Sequence, residues 1–128
     1  MKQFHILQAD DDEFLIDLYK QLFEKEGYKV TNLSNLDKDF IEQVIKINPD
    51  LIISDNIKPN VTGMEFLRAL KSDDRTKNIP FVFLSNSVES LGLVPEAKNL
   101  GVLACLTKVK LTPLELVEKI KGIINTLC

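Results

Sequence analysis

The sequence predicts an α/β protein built as a doubly wound, five-stranded parallel sheet with helices on both faces. Three observations carry that prediction. Apolar runs too short to be helices alternate along the chain with longer stretches of helical period. Gly27 and Gly101 fall where a helix needs a left-handed closing residue. Acidic residues gather where the first and third short runs stop, at Asp10, Asp11 and Asp12 and again at Asp55.

The first strand is expected over Phe4 to Ala9, and it runs straight into the three aspartates. His5 lies inside it, where a core or edge position accounts for it better than chemistry does. A helix follows with Phe14, Leu15, Leu18 and Leu22 on one face, and Gly27 closes it. The second strand is expected over Tyr28 to Leu33. The next helix repeats the pattern with Phe40, Ile41, Val44 and Ile45. Strands three and four are expected over Leu51 to Asp55 and Phe81 to Ser85. Gly92 and Pro95 then interrupt the helical pattern, so a loop is expected over Asn86 to Val94 with a short helix after it. Pro95 suits a first helical position and would break an ongoing helix. The fifth strand is expected over Val102 to Lys108. The last helix opens on Thr112, Pro113, Leu114 and Glu115, a capping box around a first-position proline. Val117, Ile120, Ile124 and Leu127 are its expected buried stripe.

At 128 residues, 45% of them hydrophobic, the chain has the length and apolar content of one domain, and residues 1–128 are read as a single unit. A net charge of -3 argues against general affinity for nucleic acid or anionic membranes. Cys105 and Cys128 form neither a disulfide framework nor a metal-ligand spacing, and read as free thiols in a reducing compartment. Neither a signal-peptide core nor a run of about 20 apolar residues is present. A cytoplasmic location is therefore expected.

Five β/α units of this length suit the flavodoxin-like strand order 2-1-3-4-5. Ligands then collect outside the carboxyl ends of strands one and three, where the winding reverses. Asp10, Asp11, Asp12 and Asp55 stand at those two ends. Taken alone, the first three have a plain explanation as helix caps, and Asp55 as a turn residue. Two more strand ends change the weighting: strand four stops at Ser85, a hydroxyl donor, and strand five at Lys108, a compact cation. Carboxylates crowded at one sheet edge repel unless a cation sits among them, and an all-oxygen set suits Mg²⁺.

These residues resemble the receiver domain of bacterial response regulators. The resemblance covers essentially the whole chain, through the acidic cluster, the run PDLIISDNIKPNVTGMEFL, IPFVFLSN, and LTKVKLTPLELVEKI. Its most specific part is Asp55 followed by Pro59 and Gly63 at the family's spacing. The resemblance implies that Asp55 accepts a phosphoryl group and that Asp11 and Asp55 bind Mg²⁺ directly with the backbone carbonyl of Ile57. Asp10 then acts through water, and Ser85 and Lys108 meet the phosphoryl oxygens. It further implies a donor, either a histidine kinase, a phosphotransfer protein or a small acyl phosphate, and a downstream protein target. Direct binding of nucleic acid or membrane is not implied. The chain would be no enzyme in the ordinary sense, catalysing only its own phosphorylation and dephosphorylation.

Three departures from the family pattern stand out. Val109 replaces the usual proline after the lysine, Cys105 replaces an aromatic switch residue, and Asn86 replaces a small residue at the head of an atypical fourth-helix region. Without proline the bond before Val109 is expected to be trans, because a cis bond there costs about 2.5 to 4 kcal/mol. An interaction module that kept the fold and lost switching is one alternative reading. A Mg²⁺ phosphohydrolase of the haloacid-dehalogenase type, using Asp10 and Asp12 with Asp73 and Asp74, is another. That second reading puts Asp73 and Asp74 at the wrong end of the sheet and leaves no room for a cap domain. Flavin binding is disfavoured because carboxylates stand where phosphate needs donors.

Overall fold

The computed structural model describes residues 3–33, 39–56, 61–86, 88 and 91–127. In chain order the elements are β1 (His5–Ala9), α1 (Glu13–Lys25), β2 (Lys29–Leu33), α2 (Phe40–Ile47), β3 (Leu51–Ser54), α3 (Gly63–Ser72), β4 (Phe81–Leu84), α4 (Val94–Asn99), β5 (Ala104–Leu106) and α5 (Pro113–Leu127). A 3-10 turn, Lys108–Lys110, joins β5 to α5. The sheet order is β2-β1-β3-β4-β5 and each pairing is parallel, as expected.

Successive strand residues point to opposite faces, and both faces here are covered, so the strands read as nearly continuous apolar runs. Leu7, Ala9, Ile52, Phe81 and Phe83 pack on one face against Val44 of α2, Met64, Phe66, Leu67 and Leu70 of α3 and Ala97 of α4. Ile6, Val30, Leu51, Ile53, Val82 and Leu84 pack on the other against Tyr19 and Phe23 of α1 and Leu116, Val117, Ile120 and Ile124 of α5. Each fully buried aromatic or aliphatic side chain in these layers contributes about 1.5 to 3 kcal/mol over an exposed one. His5 is buried in β1, and its Nε2 lies 2.7 Å from the Thr31 hydroxyl of β2, a structural place as expected.

The element ends follow local chemistry. Gly27 and Gly101 take φ of 91° and 89°. Asn48, which the sequence did not single out, closes α2 in the same left-handed region at 53°. Thr112 and Glu115 form the expected capping box, the Glu115 N–H donating to the Thr112 hydroxyl at 3.2 Å and the Thr112 N–H to Glu115 Oε1 at 2.9 Å. Thr62 and Glu65 form a second such box on α3 that the sequence reading passed over. The loop expected over Asn86 to Val94 includes residues 87, 89 and 90, which lie outside the described residues. The short α4 begins at Val94, one residue earlier than expected, and carries Pro95 as its second residue.

Several expectations need correction. The buried residues of α1 are Ile16, Tyr19 and Phe23, with the expected Leu15 and Leu22 packed partly buried beside them, while Phe14 is 77% exposed. Two overlapping stripes fit residues 14–23, and the sheet contacts fall on the one with Ile16, Tyr19 and Phe23. In α5 Leu116 joins the buried stripe, whereas Leu127 is 38% exposed at the helix end. The fifth strand is shorter than expected, because Lys108 opens the 3-10 turn instead of ending the strand. Among the described residues there is no cis peptide bond, so the bond before Val109 is trans as expected. None of the described helices is long and apolar enough to cross a membrane.

Candidate functional site

The register of β1 on β3 sets Ala9 beside Ser54, which brings the next residues, Asp10 and Asp55, together at the carboxyl edge. The Asp55 N–H donates to the Ala9 carbonyl at 3.0 Å and extends that ladder by one bond. The three neighbouring aspartates that follow β1 do different things. Asp12 caps α1, accepting from the Leu15 N–H at 3.2 Å. Asp10 is buried, and its Oδ1 accepts from the Asp12 N–H at 2.9 Å. Asp11 is exposed. One carboxylate oxygen from each of Asp10, Asp11 and Asp55 lies within 4.8 Å of the others, a set able to hold a metal ion.

Lys108 supplies the counter-charge. Its Nζ donates to Asp10 Oδ2 at 2.6 Å and lies 3.5 Å from Asp55 Oδ2. Burial penalises this ammonium, but the hydrogen bond and charge of Asp10, with Asp55 beyond, outweigh it and hold Lys108 above the ordinary lysine range. It is therefore a fixed cation at neutral pH. The Asp55 Oδ1 accepts from the Asn56 N–H at 2.7 Å, and the Ser54 hydroxyl donates to the Asp55 carbonyl at 2.7 Å. That leaves Asp55 Oδ2 as the oxygen facing Lys108.

Behind Asp55, Asn56 is bonded to the start of α3. The Asn56 carbonyl accepts from the Gly63 N–H at 2.5 Å, and its side-chain oxygen accepts from the Met64 N–H at 3.1 Å. Asn56 is buried and joins the end of β3 to the start of α3. A Cβ on Gly63 would collide with the Asp55 carbonyl, the Asn56 Cα and the Phe83 ring, which is the physical reason for a glycine there. Asn56 was missed by sequence reasoning, since a lone Asn after a strand carries no signal of two bonds made to residues further along the chain.

Of the residues singled out from the sequence, Asp10, Asp11, Asp55 and Lys108 meet at one place. Ser85 follows β4 at the same edge, buried, its N–H donating to the Leu106 carbonyl at 2.9 Å. Ile57 and Pro59 lie outside the described residues. Cys105 is half-buried in β5, and Cys128 lies outside the described residues. Asp73 follows α3 and precedes β4, at the opposite edge from Asp10, and its two oxygens accept from the Arg75 guanidinium at 3.1 and 2.9 Å. It is not brought to the acidic cluster.

Comparison with known proteins agrees with the fold. The family profile of the response regulator receiver domain matches residues 6–121. The response regulator SaeR of Staphylococcus aureus (strain USA300) is 28% identical over 121 residues, covering 94% of this chain and 50% of SaeR. The chain thus spans about half the length of the curated relatives it matches. A receiver domain protein (CheY-like) from Methanospirillum hungatei JF-1 superposes with a TM-score of 0.84 at 25% identity, covering 98% of this chain and 96% of that one. The chemotaxis response regulator CheY4 of Vibrio cholerae shares the fold with a TM-score of 0.80 at 24% identity, covering 95% and 99%. With most of its length matched, its strand order shared and its acidic edge in place, this chain belongs to the response regulator receiver domain family of two-component signalling.

Proposed function

We propose that residues 1–128 act as one receiver unit that takes a phosphoryl group onto the Asp55 carboxylate. The observation that carries this reading is the Lys108 ammonium standing between Asp10 and Asp55 at the carboxyl edge of the sheet. Asp55 Oδ2 forms the bond to phosphorus. The bond from phosphorus to the donor breaks, its electron pair leaving on a histidine nitrogen or an acyl oxygen. Charge spread over the phosphoryl oxygens in such a transfer is stabilised by fixed cations and donors, the part assigned to Lys108 and to the Ser85 hydroxyl. The Asn56 N–H on Oδ1 orients the carboxylate.

The all-oxygen set of Asp10, Asp11 and Asp55 fits Mg²⁺, and the resemblance adds the Ile57 carbonyl. When bound, Mg²⁺ supplies positive charge to the phosphoryl oxygens. Lys108 pairs with Asp10 and so offsets part of the repulsion among the three carboxylates. The donor is a histidine kinase or a phosphotransfer protein, and the product is a changed protein-binding surface read by a downstream target in the cytoplasm. Catalysis is confined to the chain's own phosphorylation and dephosphorylation. Arg75 holding Asp73 at the far edge speaks against a phosphohydrolase reading. Cys105 in β5 favours, as the second reading, a module that does not switch.

Incubation of the purified protein with acetyl phosphate and Mg²⁺, followed by intact mass measurement, tests the proposal. One phosphoryl adduct is expected, which does not form when the metal is chelated beforehand and is absent from Asp55→Asn. An adduct of undiminished yield on Asp55→Asn places the chemistry elsewhere.

A further inference from the structure

The turn that carries Lys108 is held by something other than packing. Its own bonds are Lys110 N–H to the Thr107 carbonyl at 3.1 Å and Leu111 N–H to the Lys108 carbonyl at 3.2 Å. Val109 and Lys110 are both exposed, Val109 at 78%, so neither side chain anchors it by burial. The first N–H groups of a helical turn find no partner inside it, and the usual remedy is a side-chain oxygen of the preceding residue accepting from the second or third position. Thr107 occupies that preceding position and makes no capping bond.

The cap comes from elsewhere. Asn86 Oδ1, on the loop after β4, accepts from the Val109 N–H at 2.9 Å. Val109 is the second residue of the turn, the position a capping oxygen ordinarily serves. The residue before Asn86 is also tied to this segment, the Ser85 N–H donating to the Leu106 carbonyl at 2.9 Å. Residues 85 and 86 therefore bond the backbone on both sides of Lys108, at Leu106 and at Val109. Proline at 109 has no N–H to give, so this bond exists only with a residue such as Val109 there.

We propose that Asn86 is a positioning residue that caps the Lys108–Lys110 turn from the end of the neighbouring strand and so fixes the Lys108 ammonium against Asp10 and Asp55. The catalytic meaning of this rests on Lys108 serving phosphorylation of Asp55. The device also ties the Lys108 turn to the loop at Asn86, so displacement of either moves the other.

Asn86→Ala removes the acceptor at an exposed position, and a retained single cooperative urea transition verifies the fold. By NMR, the Val109 amide proton is expected to move to a solvent-bonded shift in Asn86→Ala and to return in Asn86→Asp, which keeps the acceptor. The Lys108 ε-methylene signals are expected to shift in the alanine variant. Unmoved Lys108 signals overturn the proposal. Labelling with acetyl phosphate is expected to slow about fivefold in Asn86→Ala and to show no further loss when Asn86→Ala is added to Lys108→Ala. An equal loss in both backgrounds, or no loss in either, overturns it too. If the unaltered protein takes no label at Asp55, the functional reading fails and the Lys108 signals alone decide whether Asn86 positions it.

Discussion

Asp10, Asp11 and Asp12 are chemically identical neighbours, yet the fold assigns each a different part. Asp12 turns back onto the Leu15 N–H, Asp10 faces Lys108, and Asp11 stays exposed with one oxygen near the other two carboxylates. Asp12→Ala should therefore cost about 1 kcal/mol of stability by urea denaturation, with Mg²⁺ affinity by calorimetry little changed. Asp11→Ala should do the reverse and weaken Mg²⁺ binding at nearly constant stability. Matching effects of the two substitutions would show that this division is mistaken. Gly63→Ala forces a Cβ into the Asp55 carbonyl and the Asn56 Cα, so a loss of about 2 to 3 kcal/mol is expected together with slower labelling. At Cys105 burial pushes the thiol pKa up, against a smaller opposing effect of Lys98. Less thiolate is then present at neutral pH, and alkylation should be slower than for an unstructured cysteine peptide and should rise only above the ordinary thiol range. Residue types at strand ends were readable in the sequence. Which carboxylate caps and which pairs was not, because that depends on the register of β1 on β3 and on Lys108 arriving from the far side of β4.

Elements were most legible where short-range chemistry defines them. The Thr112–Glu115 box and the glycines at 27 and 101 fix helix ends through bonds or dihedrals a few residues long, and these agree with expectation. The buried face of α1 was misread because apolar residues at 14, 15, 16, 18, 19, 22 and 23 support two stripes, and only the sheet decides between them. The end of β5 was misread because the 3-10 turn is completed by Asn86, an acceptor 23 positions away. The α4 region bears on switching. This helix is short and is pinned sideways by the Arg68 guanidinium, which donates to both Glu96 carboxylate oxygens at 2.6 and 2.9 Å. Cys105 has no ring to swing, so phosphorylation is expected to be read out through residues 86 to 94 instead of through β5. Amide exchange with and without a Mg²⁺-bound phosphoryl mimic should change most over 86–94. Changes centred on Cys105 would reject this route, and no change in either place would favour the non-switching module.

At the scale of the whole molecule the order β2-β1-β3-β4-β5 was legible because the alternation of short apolar runs and helical stretches admits few parallel arrangements. The two apolar layers then follow from the alternation of side chains along each strand, Ile6 entering one and Leu7 the other. That architecture makes a site from residues as far apart as Asp10 and Lys108, since each lies just beyond a strand at the same edge. The central claim is that this edge directs a phosphoryl group to Asp55 and to no other carboxylate. Reduction with borohydride after treatment with acetyl phosphate and Mg²⁺ converts an aspartyl phosphate to homoserine and so marks its position for peptide sequencing by mass spectrometry. Homoserine at position 55 alone, absent without Mg²⁺, is the result expected; homoserine at position 10, or unmodified aspartate at 55 in protein that carries the label, would contradict the account.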